Sequence, residues 1–208
     1  MVDNEPTEIQ NLLCVIPFFH IYGEVCCILY AARSLMTMVI LPRFEPNEVL
    51  DAIERYDQYA YFPAVPTMLE ALFANPRVND IDWHRKFVYC GTGAAPASLA
   101  LYQKCRSYDF NFYEGYGMSE TCAMAVSTPG GRPKVGSVGV PYIDMECRVV
   151  DDDGNDVPLG ERGELWLRGA TVMKEYWNNP EETAKAFTED GWLKTGDVVY
   201  MDEEGNIF

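Results

Sequence analysis

Through the first 128 residues, short runs of apolar, β-branched and aromatic side chains alternate with longer stretches in which apolar positions recur every three or four residues. The short runs predict strands near Leu12 to Ile16, Met36 to Leu41, Tyr59 to Phe62, Phe87 to Cys90 and Phe110 to Tyr113. The longer ones predict helices over Glu24 to Ser34, Pro46 to Tyr56, Thr67 to Asn75 and Pro96 to Ser107, the second and fourth opening on a proline suited to a first turn. Strands that alternate with helices in this way imply an α/β fold with a parallel sheet covered by helices. From about Pro129 the texture changes to glycine, proline and short alternating segments at Met145 to Val150, Glu164 to Arg168 and Val198 to Met201, which predict a small antiparallel sheet or barrel. The expected organisation is therefore an α/β subdomain over 1–128 and a β-rich, barrel-like subdomain over 129–208.

Two acidic, glycine-containing stretches, Asp151-Asp152-Asp153-Gly154 and Asp202-Glu203-Glu204-Gly205-Asn206, read as hairpin turns. A calcium loop would need EF-hand spacing and flanking helices, which neither has. Asn179-Pro180-Glu181-Glu182 reads as a helix start with acids in its first turn. The chain stops at Phe208, barely into the strand expected to return from the last hairpin, so the sequence reads as part of a longer protein.

The formal net charge is −16, and residues 136–208 hold −11 of it, with 6 basic and 17 acidic side chains. So acidic a surface excludes nucleic acid and anionic lipid as partners. Seven cysteines without a C-x-x-C pair read as buried thiols of an intracellular, most simply cytoplasmic, compartment. A peroxisomal or membrane-associated location stays open, as does the oligomeric state. With only His20 and His84 a zinc site is not expected. The apolar run Val25 to Leu41 contains Arg33 and splits into a helical and a β-rich half, so no transmembrane segment is expected.

Candidate chemistry gathers after the expected strand ends, where ligands bind in such sheets. Pro17 to Gly23 follows the first strand, Pro63 to Pro66 the third and Gly91 to Pro96 the fourth. Phe112-Tyr113-Glu114-Gly115-Tyr116-Gly117-Met118-Ser119-Glu120-Thr121 spans the fifth and the turn after it. In the last stretch Gly115 and Gly117 allow tight turns and close approach to a ligand, and Tyr116 offers a flat face for a purine. Ser119 can reach a phosphate, and Glu120 can hold Mg2+, which takes one or two protein carboxylates and completes its shell with phosphate and water. Bland readings stand beside these: His20 packed among Phe18, Phe19 and Tyr22, His84 in a surface loop, Trp192 as a packing residue.

Taken together, these residues resemble the adenylate-forming (AMP-binding) superfamily, and within it acyl-CoA synthetases of the 4-coumarate and fatty-acid CoA ligase type. Pro17 to Gly23 is similar to that family's P-x-F-H-x-x-G segment, Gly93 to Pro96 to its adenine-side loop, and Tyr116-Gly117-Met118-Ser119-Glu120 to its Y-G-x-T-E motif, with Ser119 in place of threonine. Gly136 to Pro141, Gly163 to Gly169 and Asp190 to Asp197 follow in family order. The resemblance implies an ATP- and Mg2+-dependent ligase that converts a fatty or aryl carboxylic acid to acyl-AMP and then to the coenzyme A thioester. It implies nucleotide contacts from Gly93, Ala94, Ala95, Pro96, Glu114, Gly115, Tyr116, Gly117 and Ser119, with Asp197 on the ribose hydroxyls. Ser119 and Glu120 would be catalytic, Glu120 the metal ligand, and His20, Tyr22, Gly93, Gly115 and Met118 the border of the acyl pocket. A carrier-protein adenylation enzyme, a luciferase-type relative and a non-enzymatic nucleotide-binding remnant remain as alternatives. The family's glycine- and hydroxyl-rich phosphate loop and its lysine-bearing mobile domain are not found in this sequence, so the 208 residues alone are expected to be inactive.

Overall fold

A computed structural model describes residues 11–110, 112–128 and 134–208. The chain divides into two compact units, Met1–Tyr113 and Glu114–Phe208, each with its own core.

In the first unit the strands β1 (Asn11–Cys14), β2 (Thr37–Ile40), β3 (Tyr59–Ala64) and β4 (Phe87–Thr92) form a parallel sheet in the order β2-β1-β3-β4. Leu12 pairs with Met38 on one side and Tyr61 on the other, and Phe62 with Cys90. All four residues of β1 and all six of β3 are buried, as continuous apolar runs covered on both faces must be. The helix Pro46–Arg55 sinks Val49, Leu50 and Ile53, and Pro66–Phe73 sinks Leu69, Leu72 and Phe73. Trp83, 1% exposed, stacks on Phe87 and donates its indole N–H to the Val78 carbonyl at 2.9 Å.

Several expected boundaries shift for local reasons. The first helix begins at Ile21 and runs through a π-helical stretch, Glu24–Leu29, before ending at Ser34, where Leu35 adopts a left-handed φ of 54°. The fourth helix opens at Leu99 rather than Pro96, because the Ser98 hydroxyl caps it by accepting from the Leu101 N–H at 3.1 Å. Pro66, not Pro96, takes a first-turn position. His84 lies in a short helix, Trp83–Lys86, rather than a loop, and its exposed ring faces Asp109 at 3.4 Å.

The second unit holds two antiparallel groups. Here β5 (Phe112–Tyr116), which starts at the end of the first unit, pairs with β6 (Val126–Ser127), and β6 with β7 (Val140–Pro141). The strands β8 (Met145–Val150), β9 (Gly163–Gly169) and β10 (Leu193–Val199) form a sheet in the order β10-β9-β8. Ala125, Val126, Met145, Leu165, Leu167 and Ile207 make its core. The last strand starts five residues and ends two residues earlier than the alternation suggests, because a register shift between Lys194 and Val198 breaks the period of two. Residues after it return as a hairpin: Tyr200 and Phe208 exchange both backbone hydrogen bonds and stack at 4.7 Å. At Gly139, φ is 103° and an added Cβ would fall 2.1 Å from the Ser127 backbone, so packing and conformation both require glycine at this position. Trp192 packs as expected, 6% exposed, with the Arg168 guanidinium 4.3 Å from its ring centre. The Asp151 and Asp202 stretches are turns: each aspartate Oδ1 accepts backbone N–H groups two and four residues on. Cys14, Cys26, Cys27, Cys90 and Cys105 are buried free thiols, but Cys122 is exposed and Cys147 half-buried.

Candidate active site

In the first unit, parallel pairing puts the residues that follow β1, β3 and β4 at one edge of the sheet. Pro63, Ala64, Gly91 and Thr92 prove to be the last residues of β3 and β4 rather than loop. Tyr22 locks this edge: its hydroxyl lies 3.1 Å from the Ala64 carbonyl and 3.0 Å from the Gly91 carbonyl, the ends of neighbouring strands. Burial pushes the Tyr22 phenol well above its ordinary range, so it stays a protonated donor. Gly91 has no room for a Cβ, which would meet the Tyr61 hydroxyl at 2.6 Å. Thr92 Oγ1 is buried without a hydrogen-bond partner among the described residues. Ala94, in the Gly93 to Pro96 loop, holds a φ of 67° that a non-glycine residue adopts at a cost, a form of strain that gathers at ligand sites. His20 is exposed, as is Phe19 at 94%, and the His20 Nδ1 caps the helix by accepting from the Tyr22 N–H at 3.1 Å.

In the second unit the Tyr116 stretch folds on itself. Thr121, fully buried, accepts the Met118 N–H at 3.0 Å and donates to the Met118 carbonyl at 3.1 Å, closing the 3-10 turn Ser119–Thr121. That turn leaves the Ser119 side chain exposed and Glu120 half-buried. The glycines owe their place to the chain's own backbone: a Cβ on Gly117 would fall 1.9 Å from the Ala123 carbonyl oxygen, and one on Gly115 3.2 Å from that of Val126. Ligand approach alone did not require them. Glu114 is 4% exposed, and its backbone exchanges hydrogen bonds with Thr128.

Two contacts join this turn to residues far along the chain. The Tyr116 hydroxyl donates to Asp197 Oδ2 at 2.6 Å. Asp197 sits on the irregularity of β10, its N–H held by Thr195 Oγ1, which itself donates to the Leu165 carbonyl. Such bulges re-aim a side chain out of the ladder. Glu120 Oε1 accepts the Tyr176 hydroxyl at 2.7 Å, and the Glu120 carbonyl accepts the Met173 N–H at 2.7 Å. Burial first, then the Asp197 hydrogen bond, push the Tyr116 phenol upward, so it stays a protonated donor to Asp197. Tyr116 with Asp197, and Glu120 with Tyr176, thus form two pairs that both start from this one stretch. Tyr176 was missed, since nothing local in Met-Lys-Glu-Tyr-Trp marks it. No group of three or more metal-binding side chains occurs among the described residues, and none of their helices is long and apolar enough to cross a membrane.

Comparison with known proteins identifies the family. Residues 3–177 match the family described as AMP-binding enzyme. The chain is 36% identical over 204 residues to 4-coumarate--CoA ligase-like 4 of Oryza sativa subsp. japonica, covering 96% of this chain and 36% of that protein. It is 35% identical over 202 residues to a long-chain-fatty-acid--CoA ligase of Bacillus subtilis, again covering 96% and 36%. Among solved structures it is similar to the O-succinylbenzoate coenzyme A synthetase MenE from Bacillus subtilis in complex with ATP and magnesium ion, with a TM-score of 0.84 and 33% identity over 97% of this chain and 41% of that one. ATP-bound MatB from Rhodopseudomonas palustris gives a TM-score of 0.87 at 28% identity, over 96% and 39%. The chain therefore spans a little over a third of the length of these curated relatives. With its motifs in order, its fold shared and 3–177 matched throughout, the chain belongs to the AMP-binding enzyme family.

Proposed function

We propose that this chain is the nucleotide-binding portion of an acid–coenzyme A ligase, which activates a carboxylic acid with ATP to acyl-AMP and passes the acyl group to coenzyme A. The observation that carries this reading is the hydrogen bond in the second unit from the Tyr116 hydroxyl to Asp197, which joins the Tyr116 to Glu120 stretch to the Asp190 to Asp197 stretch. Tyr116 presents an aromatic ring to adenine, together with nucleotide contacts from Gly93, Ala94, Ala95, Pro96, Glu114, Gly115 and Gly117. Asp197 accepts the ribose hydroxyls, since a carboxylate offers about four acceptor positions and Tyr116 occupies one. Ser119, exposed on its turn, donates to the α-phosphate. His20, Tyr22, Gly93, Gly115 and Met118 border the acid.

Mg2+ fits the residues present. Glu120 would hold it through one hard carboxylate, the kind of ligand that Mg2+ takes in ones or twos beside substrate phosphates and water. When bound, the metal neutralises charge that develops on the phosphates as pyrophosphate leaves. The protein's own contribution is positional. The Thr121 clamp fixes the Ser119–Thr121 turn, and the Asp197 bond fixes the edge of the Tyr116 ring, so the acid's carboxylate meets the α-phosphorus in line. We place the protein in a reducing intracellular compartment, which its seven free thiols support.

The test is ATP–pyrophosphate exchange by the complete protein across fatty and aryl acids, followed by thioester formation with coenzyme A. Exchange without thioester would indicate a carrier-protein or luciferase-type enzyme, and no exchange with any acid would remove the ligase reading. Glu120→Gln is expected to slow Mg2+-dependent exchange while sparing thioester formation from supplied acyl-adenylate, because the amide keeps the shape and loses the charge.

A further inference from the structure

Glu120 is held more tightly than a surface carboxylate needs to be, and what holds it is itself held. Tyr176 reaches back 56 positions to donate to Oε1 at 2.7 Å, and the neighbouring Met173 N–H donates to the Glu120 carbonyl. Tyr176 is in turn fixed from the helix Pro180–Ala186: its N–H donates to Thr183 Oγ1 at 2.9 Å, and its carbonyl accepts the Asn179 N–H at 3.1 Å. Thr183 Oγ1 donates onward to the Asn179 carbonyl at 2.9 Å. The other carboxylate oxygen, Oε2, enters none of the hydrogen bonds or ion pairs of the described residues.

We propose that Tyr176 is a positioning residue for metal binding: by occupying Oε1 it fixes the Glu120 rotamer and leaves Oε2 as the single, monodentate ligand for Mg2+. This rests on the reading of Glu120 as the metal ligand. The chemistry favours it, because a donor on one oxygen disfavours bidentate chelation, and Mg2+ demands near-ideal octahedral geometry that a four-membered chelate distorts. Hydrogen-bond partners of ligating groups typically set metal affinity by about 10- to 100-fold.

The probe is Mn2+ with a non-hydrolysable ATP analogue, followed by electron paramagnetic resonance on the complete protein and its Tyr176→Phe, Glu120→Gln and doubly substituted variants. Tyr176→Phe keeps the ring and should weaken Mn2+ binding about tenfold, with the metal-free melting temperature almost unchanged. In the Glu120→Gln background the same change should have no further effect. If Glu120→Gln leaves Mn2+ affinity intact, the metal-ligand reading fails and the positioning role with it. If Glu120→Gln weakens binding and Tyr176→Phe does not, the positioning role alone is overturned. Additive losses in the double variant, or tighter binding by Tyr176→Phe, would overturn it as well, the latter by showing that the phenol competes with the metal.

Discussion

Removing the Asp197 carboxylate withdraws an acceptor from Tyr116 and, on the proposed reading, two from ribose. The two losses separate. Charge-assisted hydrogen bonds are worth roughly 1.5 to 3 kcal/mol each, so Asp197→Ala should lower kcat/KM for ATP by about tenfold to several hundredfold and abolish the preference for ATP over 2'-deoxy-ATP. Tyr116→Phe frees the same carboxylate without removing it, and should keep that preference; steady-state kinetics with both nucleotides measure it. Equal discrimination by wild type and Asp197→Ala, with circular dichroism unchanged, would take Asp197 off the ribose. Gly117→Ala belongs at this scale too. Its Cβ collides with the Ala123 carbonyl at 1.9 Å, main chain that no rotamer change relieves, so overpacking should destabilise the second unit by about 1 to 3 kcal/mol, read as a lowered melting temperature.

Among the elements, the Asp202 turn spends its carboxylate on its own backbone and on Lys134. Lys134 first, with backbone N–H groups of Asn206 and Glu204, lowers the Asp202 carboxyl to about 2. A group depressed in the folded state contributes stability that is complete above its unfolded pKa, about 4, and fades as pH falls through about 2. Wild type should therefore melt higher than Asp202→Ala near neutrality, the gap closing between about pH 4 and pH 2, while kcat/KM for ATP hardly changes. A gap constant down to pH 2 would show that the turn does not draw on this carboxylate. The contrast with Asp197 is one of element geometry: Asp202 spends its oxygens on its own turn, whereas the β10 irregularity turns Asp197 towards Tyr116.

For the whole molecule, the expectation is that these 208 residues make no acyl-coenzyme A on their own. They contain Tyr116, Glu120 and Asp197 but neither a glycine- and hydroxyl-rich phosphate loop nor a lysine-bearing mobile domain, and they cover a little over a third of their relatives. Turnover above background by the purified chain, monitored as thioester, would contradict this.

The sequence by itself determined whatever depends on near neighbours along the chain. The parallel strands were legible because full burial demands unbroken apolar runs, as at Tyr59–Ala64, and the helices because Val49, Leu50 and Ile53 repeat with a helical period. Order and spacing of the motifs identified the Tyr116 to Glu120 stretch and Asp197 as candidates. Strands of two residues, Val126–Ser127 and Val140–Pro141, are too short to carry any period. The bulge before Asp197 hid where β10 begins. Only the tertiary structure decided which side chains meet: Tyr116 with Asp197 across 81 positions, Tyr176 with Glu120 across 56, Gly117 against Ala123. A hydrogen bond depends on a few tenths of an ångström between groups whose separation along the chain carries no local signal, so their partnership is settled by packing alone.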